Sequence, residues 1–397
     1  MGSLLMPHVR SANELTTRWC TTFGGANTAV SAAGVWPLLA VLAGAADGAA
    51  RTELSAALGI SADEAHTAGL AMLKTLDASR EVSTAIGAWA KAGLPVRPEW
   101  IESLPAGTIG ELGDPAALDA WAREQTDGSI EKFPVPISTM TIFALATALL
   151  ARTKWVEPFD EILWTPETGP WQGQRGIGLS RSNYPDGSVS VLGSDVTRVI
   201  VAGRGDLDVH LLIGADPNHA IAAGIAAIDG SLPVTTDLPV GTTGPCLAVE
   251  RRETYGGDSV VVTLPPFDIS AHHDLLDRAD LFGLSAARDS SRGHFPGISS
   301  FPLAVEAAAQ SVVARFDSAG FEAAAVAAVA MFPGGIPQPN TATITSVRID
   351  RPFGFLAVDR PTGLALVAGQ VTTPPLTWDR PSGDDLRPPG STLWRDG

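Results

Sequence analysis

The chain has 397 residues, of which 45% are hydrophobic, and it carries 43 acidic against 27 basic side chains, a net charge of −16. Such a chain can bury a large core and is expected to be globular rather than disordered. The negative charge argues against nucleic acid, glycosaminoglycans and anionic membranes as partners, because all three attract basic protein surfaces.

The N-terminal part of the chain predicts helices followed by strands. Residues 13–22 and 35–59 have helical spacing, whereas residues 82–93 alternate like a strand. A further helix should begin at Asp114, a good cap, with Pro115 in its first turn. The run from Thr141 to Trp155 is apolar on both faces and predicts a central strand covered on both sides.

The C-terminal part predicts a larger β component. Several short strands should lie in residues 172–214, and a helix should follow in residues 215–228. A strand at residues 259–270 should lead into a helix at residues 272–284. Residues 353–373 predict a hairpin with its turn at Arg360 to Gly363. No clean linker precedes Pro374, so we expect one mixed domain.

No motif in the chain predicts an active site. His272, His273 and Asp274 have no second cluster with which to bind a metal, and the run Gly256 to Ser259 lacks the flanking pattern of a nucleophile turn. Cys20 and Cys246 are expected to be free thiols, although the sequence leaves their redox state open. We therefore expect neither an enzyme nor a cofactor.

Residues 320–338 combine two incompatible patterns. The first twelve are mostly Ala, Val, Phe and Met, as in a buried segment, but Pro333, Gly334 and Gly335 begin a stretch typical of an exposed loop. As a strand, the run puts small side chains on both faces and suits the middle of a packed sheet. The alternative is an alanine-rich helix ended by Pro333.

Ordered motifs across residues 13–374 resemble the serpins, and the chain resembles a bacterial-type member. The segment 145–159 is similar to the family's L-V-N-A-x-Y-F-K-G-x-W-x-x-x-F motif, and 264–284 to its L-P-K-F motif. Residues 352–374 match its C-terminal P-F-x-F signature closely. Residues 320–328 fall where the reactive-loop hinge G-T-E-A-A-A-A-T belongs.

The resemblance implies an α+β serpin fold with three β-sheets, eight or nine helices and an exposed reactive-centre loop. The serpin domain would span residues 1–374, with the loop at about 320–342 and a Pro/Gly-rich tail at 375–397. Family spacing places the reactive bond at Gly334–Gly335, within the window from Ala330 to Ile336. The implied hinge residues are Gly320, Phe321, Glu322, Ala323, Ala324, Ala325, Val326, Ala327 and Ala328.

The resemblance also implies a region where the main sheet opens, made of Ser31, Thr147, Trp155 and Gln310. Here Thr147 replaces a family Asn, Gln310 replaces a His, and Gly34 replaces a second Ser. Phe321 stands where inhibitory members carry Thr or Ser, and a bulky ring at that place is expected to slow insertion of the loop. Alternation nevertheless predicts that this ring faces the core.

The function implied first is suicide inhibition of a serine protease, or alternatively a cysteine protease, by loop cleavage and insertion. Since no Lys or Arg lies between Arg315 and Arg348, the target should be elastase-, subtilisin- or chymotrypsin-like. The alternatives are a non-inhibitory binding protein and a scaffold recruited to a biosynthetic task. Almost no room is expected for the family's fourth helix, which is basic in members that bind glycosaminoglycans.

We further expect a cytoplasmic protein, because the N-terminus lacks the basic and apolar regions of a signal peptide. The expected oligomeric state is a monomer. No segment of the sequence is long and apolar enough to span a bilayer. Export by another route stays open at this point.

Overall fold

The computed structural model describes residues 5–105, 108–126, 128, 131–133, 135, 141–182, 184–321 and 340–374. These ranges contain a 3₁₀ helix at Leu275–Arg278 and seven α-helices: α1 (Pro7–Cys20), α2 (Ala32–Ala45), α3 (Gly48–Leu58), α4 (Ala62–Asp77), α5 (Pro98–Glu102), α6 (Pro115–Gln125) and α7 (Pro217–Ile228). In the part of the chain so described, no helix is long and apolar enough to cross a membrane.

Twenty strands accompany the helices, which makes the fold α+β as predicted. They are β1 (Thr28–Val30), β2 (Val82–Ala90), β3 (Ile109–Glu111), β4 (Phe143–Ala151), β5 (Thr153–Lys154), β6 (Asp160–Trp164), β7 (Gly176–Ser182), β8 (Val189–Leu192), β9 (Val196–Ala202), β10 (Leu207–Ile213), β11 (Val234–Thr235), β12 (Thr243–Gly244), β13 (Leu247–Thr254), β14 (Ser259–Leu264), β15 (Phe267–Asp274), β16 (Ala309–Phe316), β17 (Gly320–Phe321), β18 (Asn340–Arg348), β19 (Phe353–Asp359) and β20 (Leu364–Val371).

The strands form four hydrogen-bonded groups, and we treat two of them as parts of one sheet, which gives three sheets in all. A seven-stranded sheet has the order β1-β20-β19-β10-β9-β8-β11, and a six-stranded sheet the order β12-β13-β18-β14-β7-β6. The third, which we call the main sheet, has two parts, β3-β2-β4 and β15-β16-β17-β5. Only Arg152 separates β4 from β5, so one continuous run of chain connects the two parts.

Helix α2 occupies the centre of the core. Nearly all its residues are apolar and buried, from Ala32 to Ala45, and a helix that is apolar all round has to be enclosed on every side. It packs on α1, α3, α4, β4 and β20. Ser31 caps its N-terminus by accepting a hydrogen bond from the Gly34 backbone nitrogen at 3.1 Å. The position of α2 thereby fixes Ser31 directly behind the main sheet.

Strand β18 lies between two other strands of the six-stranded sheet. On one side, Asn340 to Val347 pair antiparallel with the whole of β13. On the other side, Ile344 to Arg348 pair in parallel with Ser259 to Thr263 of β14. The chain that follows the predicted reactive loop is therefore held by hydrogen-bond ladders on both edges.

Most of the predicted elements are confirmed, including β2, β4, α6, α7 and the hairpin of β19 and β20. The helix predicted at residues 272–284 is wrong. Strand β15 continues to Asp274, and only one 3₁₀ turn follows. His272 and His273 pair in register with Ser311 and Gln310, so the ladder to β16 overrides the local helical pattern.

The expectation of almost no room for a fourth helix is also wrong. Helix α4 is the fourth helix and immediately precedes β2. Gly59 adopts a left-handed conformation that ends α3, and α4 begins only three residues later, a boundary that the sequence pattern had hidden. The new helix carries Asp63, Glu64 and Asp77 against Lys74, so it is acidic rather than basic.

His210 gives the fold a testable pH dependence. It lies in β10, where burial lowers the pKa from 6.5 to about 3; nearby Arg198 also lowers the pKa and Asp208 raises it. The folded protein keeps this imidazole neutral while the unfolded chain takes up a proton, so stability is lost as the pH falls from 6.5 towards 3. We expect His210→Gln to remove up to about 1.4 kcal/mol per pH unit from the slope of the unfolding free energy in that window.

Urea unfolding at pH 6, 5 and 4 would measure this slope. The matched control is Val209→Ala, since Val209 is a buried, uncharged neighbour in β10 whose truncation should lower stability equally at all three pH values and leave the slope unchanged. Equal slopes for the wild type and His210→Gln would show that His210 does not stay neutral in the folded protein.

Candidate functional site

The main sheet has a gap between β4 and β16. Strand β4 pairs with β2 along all nine of its residues, and β16 pairs with β15 along all eight. The two strands approach one another, yet among the described residues no ladder joins them. Two facing strand edges that no ladder joins are able to accept a further strand.

The first residues of the predicted hinge already enter this gap from one end. Phe321 pairs antiparallel with Phe316 of β16 on one side and with Thr153 of β5 on the other. Its side chain is fully buried, and its ring centroid lies 6.4 Å from that of Phe355. The prediction that this ring faces the core is confirmed. The ring is therefore already accommodated between β16 and β5.

A tight turn leads from β16 into β17. The Oδ1 atom of Asp317 accepts hydrogen bonds from the backbone nitrogens of Ala319 at 2.8 Å and Gly320 at 3.0 Å. The Asp317 backbone nitrogen donates to the Gly320 carbonyl at 3.1 Å. This turn reverses the chain so that Gly320 and Phe321 run antiparallel to both flanking strands.

Trp155 forms two hydrogen bonds to the turn between β16 and β17. The Nε1 atom donates to the Asp317 carbonyl at 2.9 Å, and the Trp155 backbone nitrogen donates to the Ala319 carbonyl at 3.0 Å. The indole is fully buried, with its ring centroid 4.6 Å from that of Phe316. The predicted Trp155 therefore lies at the entrance of the gap and holds the hinge turn in place.

Sequence reasoning missed two acidic residues at this entrance. Asp317 was detectable, because Asp-Ser-Ala-Gly is a turn pattern. Glu81 was not, because its partners are distant in sequence: its carboxylate accepts from the Thr153 hydroxyl at 2.5 Å and from the Leu207 backbone nitrogen at 2.7 Å. This carboxylate ties β5 to β10 and so fixes the strand that pairs with Phe321.

Ser31 and Gln310 meet behind the gap. The Gln310 carboxamide donates to the Ser31 carbonyl at 2.8 Å and accepts from the Ser31 backbone nitrogen at 2.9 Å. The Ser31 hydroxyl donates to the Leu366 carbonyl at 2.6 Å. Both side chains are buried, and a Cβ on Gly34 would lie 3.3 Å from the Gln310 Nε2 atom. One amide pair thus fastens β16 to the start of α2.

The remaining predicted site residues are only partly placed. Thr147 lies in β4 opposite Ile86, but its side chain is outside what the structure describes. The hinge residues after Phe321, from 322 to 328, lie outside the described residues, as do Gly334, Gly335 and the predicted tail at 375–397.

The described residues contain no group of three or more His, Cys, Asp or Glu side chains that could hold a metal ion. Cys20 and Cys246 are free, and burial raises the pKa of the Cys246 thiol to about 12, which makes it a poor nucleophile. His273 is turned away from solvent, with its Nε2 atom 2.8 Å from the Ala29 carbonyl oxygen.

Comparison with known proteins shows the family of the chain. Residues 10–168 and 248–374 match the family model described as serpin (serine protease inhibitor). The chain belongs to the serpin family. This serpin is 24% identical over 318 residues to an uncharacterised serpin-like protein of Thermococcus kodakarensis, covering 77% of this chain and 70% of that protein.

Solved structures agree with the fold of this serpin. Tengpin, a thermophilic serpin in the native state, matches with a TM-score of 0.69 and 16% identity, over 94% of this chain and 96% of that one. Human thyroxine-binding globulin, complexed with thyroxine, matches with a TM-score of 0.68 and 16% identity, over 92% and 98% of the two chains. The predicted serpin fold is confirmed. At these identities the matches establish the fold alone.

Proposed function

We propose that this serpin inhibits a serine protease as a suicide substrate. The observation that carries the proposal is the position of Gly320 and Phe321, which already pair with β16 and β5 at the entrance of an open gap. The protease would attack the bond at Gly334–Gly335, or one nearby between Ala330 and Ile336, and form an acyl-enzyme. The cut segment would then continue β17 along the gap and carry the protease with it.

The composition after Phe321 supports insertion of the loop. Residues 323–328 are alanines with one valine, so they can enter a packed sheet without large side chains to accommodate. Each net backbone hydrogen bond contributes about 0.5–1.5 kcal/mol, and the new strand could form them along both edges of the gap. Insertion after cleavage would therefore lower the free energy of the chain, and this decrease would drive the conformational change.

The composition of the loop also supports a class of target. No Lys or Arg occurs between Arg315 and Arg348, so the loop offers no basic side chain to the acidic specificity pocket of a trypsin-like protease. Gly334 and Ala330 suit elastase- or subtilisin-like proteases, and Met331 or Phe332 suit chymotrypsin-like ones. A cysteine protease, which also proceeds through an acyl-enzyme, is the second class of target.

A second candidate function is that of a non-inhibitory carrier. A half-open cavity of about 400 Å³ lies between α7, β10 and the turn after β19, and His210, Asp208 and Arg360 are among the residues lining it. A volume of this size suits a small molecule. Thyroxine-binding globulin, one of the structures that share this fold, is described in complex with thyroxine.

Incubation with an elastase, a subtilisin and a chymotrypsin tests the proposal. We expect a covalent band at the summed mass on a denaturing gel, and a large rise in the melting temperature of the cut chain, because the inserted strand fills the gap. A protease whose catalytic serine has been blocked is the control and should give no band. Cleavage with neither a band nor a rise in melting temperature would reject inhibition and favour the carrier.

A further inference from the structure

The turn between β13 and β14 projects beside the end of the predicted reactive loop. Thr254, the last residue of β13, pairs with Asn340, which lies near the end of that loop and is the first described residue after Phe321. The Oδ1 atom of Asp258 accepts a hydrogen bond from the Thr343 backbone nitrogen at 2.7 Å, which fastens the turn to β18. A side chain at Gly256 or Gly257 would meet no atom within 4 Å, so the tip of the turn is open on both sides.

Tyr255 stands at this tip. It is 69% exposed, the highest value among the large hydrophobic side chains of the described residues. Arg251 and Glu253 precede it on one face of β13, and both are exposed. Neither the core nor a neighbouring strand uses this ring, although β13 and Asp258 hold its backbone firmly.

The distance from the expected bond to this tip is short. Five residues, 335–339, separate Gly334–Gly335 from Asn340. Even fully extended they span no more than about 17 Å. A globular protease of ordinary size extends roughly 20 Å from its centre. A protease seated on the bond would therefore overhang the β13–β14 turn.

The usual size of a stable protein interface also indicates contact with the surface around the β13–β14 turn. A standard protein interface uses about 20–30 residues on each side, whereas residues 322–339 supply 18 at most. A docked protease must therefore also touch the structured chain at the ends of the loop. Exposed tyrosines held on a rigid backbone are frequent hot spots in such contacts, because they bury a large ring at little cost in entropy.

We propose that Tyr255, with Arg251 and Glu253 beside it, is a second docking surface for the target protease. This inference rests on the proposed function and adds a contact outside the loop. The surface acts on encounter, before any bond is cut. Loss of this surface should therefore slow the reaction of the protease with the loop. The fraction of cleaved serpin that keeps the protease in a covalent complex should stay the same.

The test compares the wild type, Tyr255→Ala, Tyr255→Phe and a matched control, Phe301→Ala, which removes another exposed aromatic ring. The second-order rate of cutting within residues 330–336 is measured with an elastase and a subtilisin. Chymotrypsin is omitted because Tyr255 would itself be a site of cleavage. We expect Tyr255→Ala to slow cutting at least about fivefold, Tyr255→Phe to restore most of the rate, and Phe301→Ala to match the wild type.

Equal rates for the wild type and Tyr255→Ala, with equal melting temperatures, would overturn the docking surface. The failure of the proposed function has a different signature: the wild-type loop would be cut without a covalent band, and the ratio of cutting rates would still decide the role of Tyr255. If neither protease cuts the loop, the docking surface is rejected. The incubation with chymotrypsin then decides whether the protein is an inhibitor.

Discussion

Under the proposed function, replacing Ala325 by arginine should convert the protein from an inhibitor into an ordinary substrate. Phe321 faces the core, so alternation along a strand places Ala323, Ala325 and Ala327 on the same buried side after insertion. An unpaired charge in that position costs several kcal/mol, enough to stop the strand before it is complete. The protease would then complete hydrolysis and leave.

The measurement is the fraction of serpin found in the covalent band at full loop cleavage, which should fall at least about tenfold. Ala324→Arg is the matched control, because Ala324 shares the opposite face with Glu322, where the chain itself already carries a charge. We expect this control to keep most of the covalent band. An equal loss in both variants would mean that Phe321 does not set the orientation of the inserted strand.

Replacing Trp155 by alanine should destabilise the protein by about 3–5 kcal/mol, the range for removal of a buried aromatic side chain. The side chain is fully buried, packs on Phe316 and donates to the Asp317 carbonyl, so its loss leaves both a cavity and an unpaired acceptor. Urea unfolding followed by circular dichroism measures the change in unfolding free energy.

Trp155→Phe separates the two contributions. Phenylalanine keeps a ring against Phe316 and lacks only the donor to Asp317, so we expect a smaller loss of about 1–3 kcal/mol. If the alanine and phenylalanine variants were equally stable, packing at the entrance of the gap would contribute little. The hinge turn would then be held by the Asp317 side chain instead.

Local patterns predicted most of the elements because their causes are local. Asp114 caps α6 through a side-chain bond to Ala116, and residues of both faces of β4 are apolar, as a covered strand requires. The direction of Phe321 followed from alternation alone. In these cases the information lies within a few residues of the element that it specifies.

The errors and omissions arise where distant residues decide the structure. The ladder to β16 keeps His272 and His273 in a strand, and that pairing cannot be read from their own segment. Glu81 joins β5 to β10 across 72 and 126 residues. The break between β4 and β16 is a property of two strands that lie far apart in the sequence, so only the resemblance to a family could suggest it.

The enclosure of β18 by β13 and β14 has a kinetic consequence. The segment 322–339 has eighteen residues, and nine of them would be needed to pair with the nine residues of β4. The remaining nine would then have to return, fully extended, to Asn340. An uncut chain is thus tethered at its far end by a strand that two ladders hold in place. Spontaneous self-insertion would therefore either stretch those nine residues fully or unzip both ladders. Under the proposed function, that barrier rather than equilibrium stability would set the half-life of the active form, and cleavage by a protease would remove the tether.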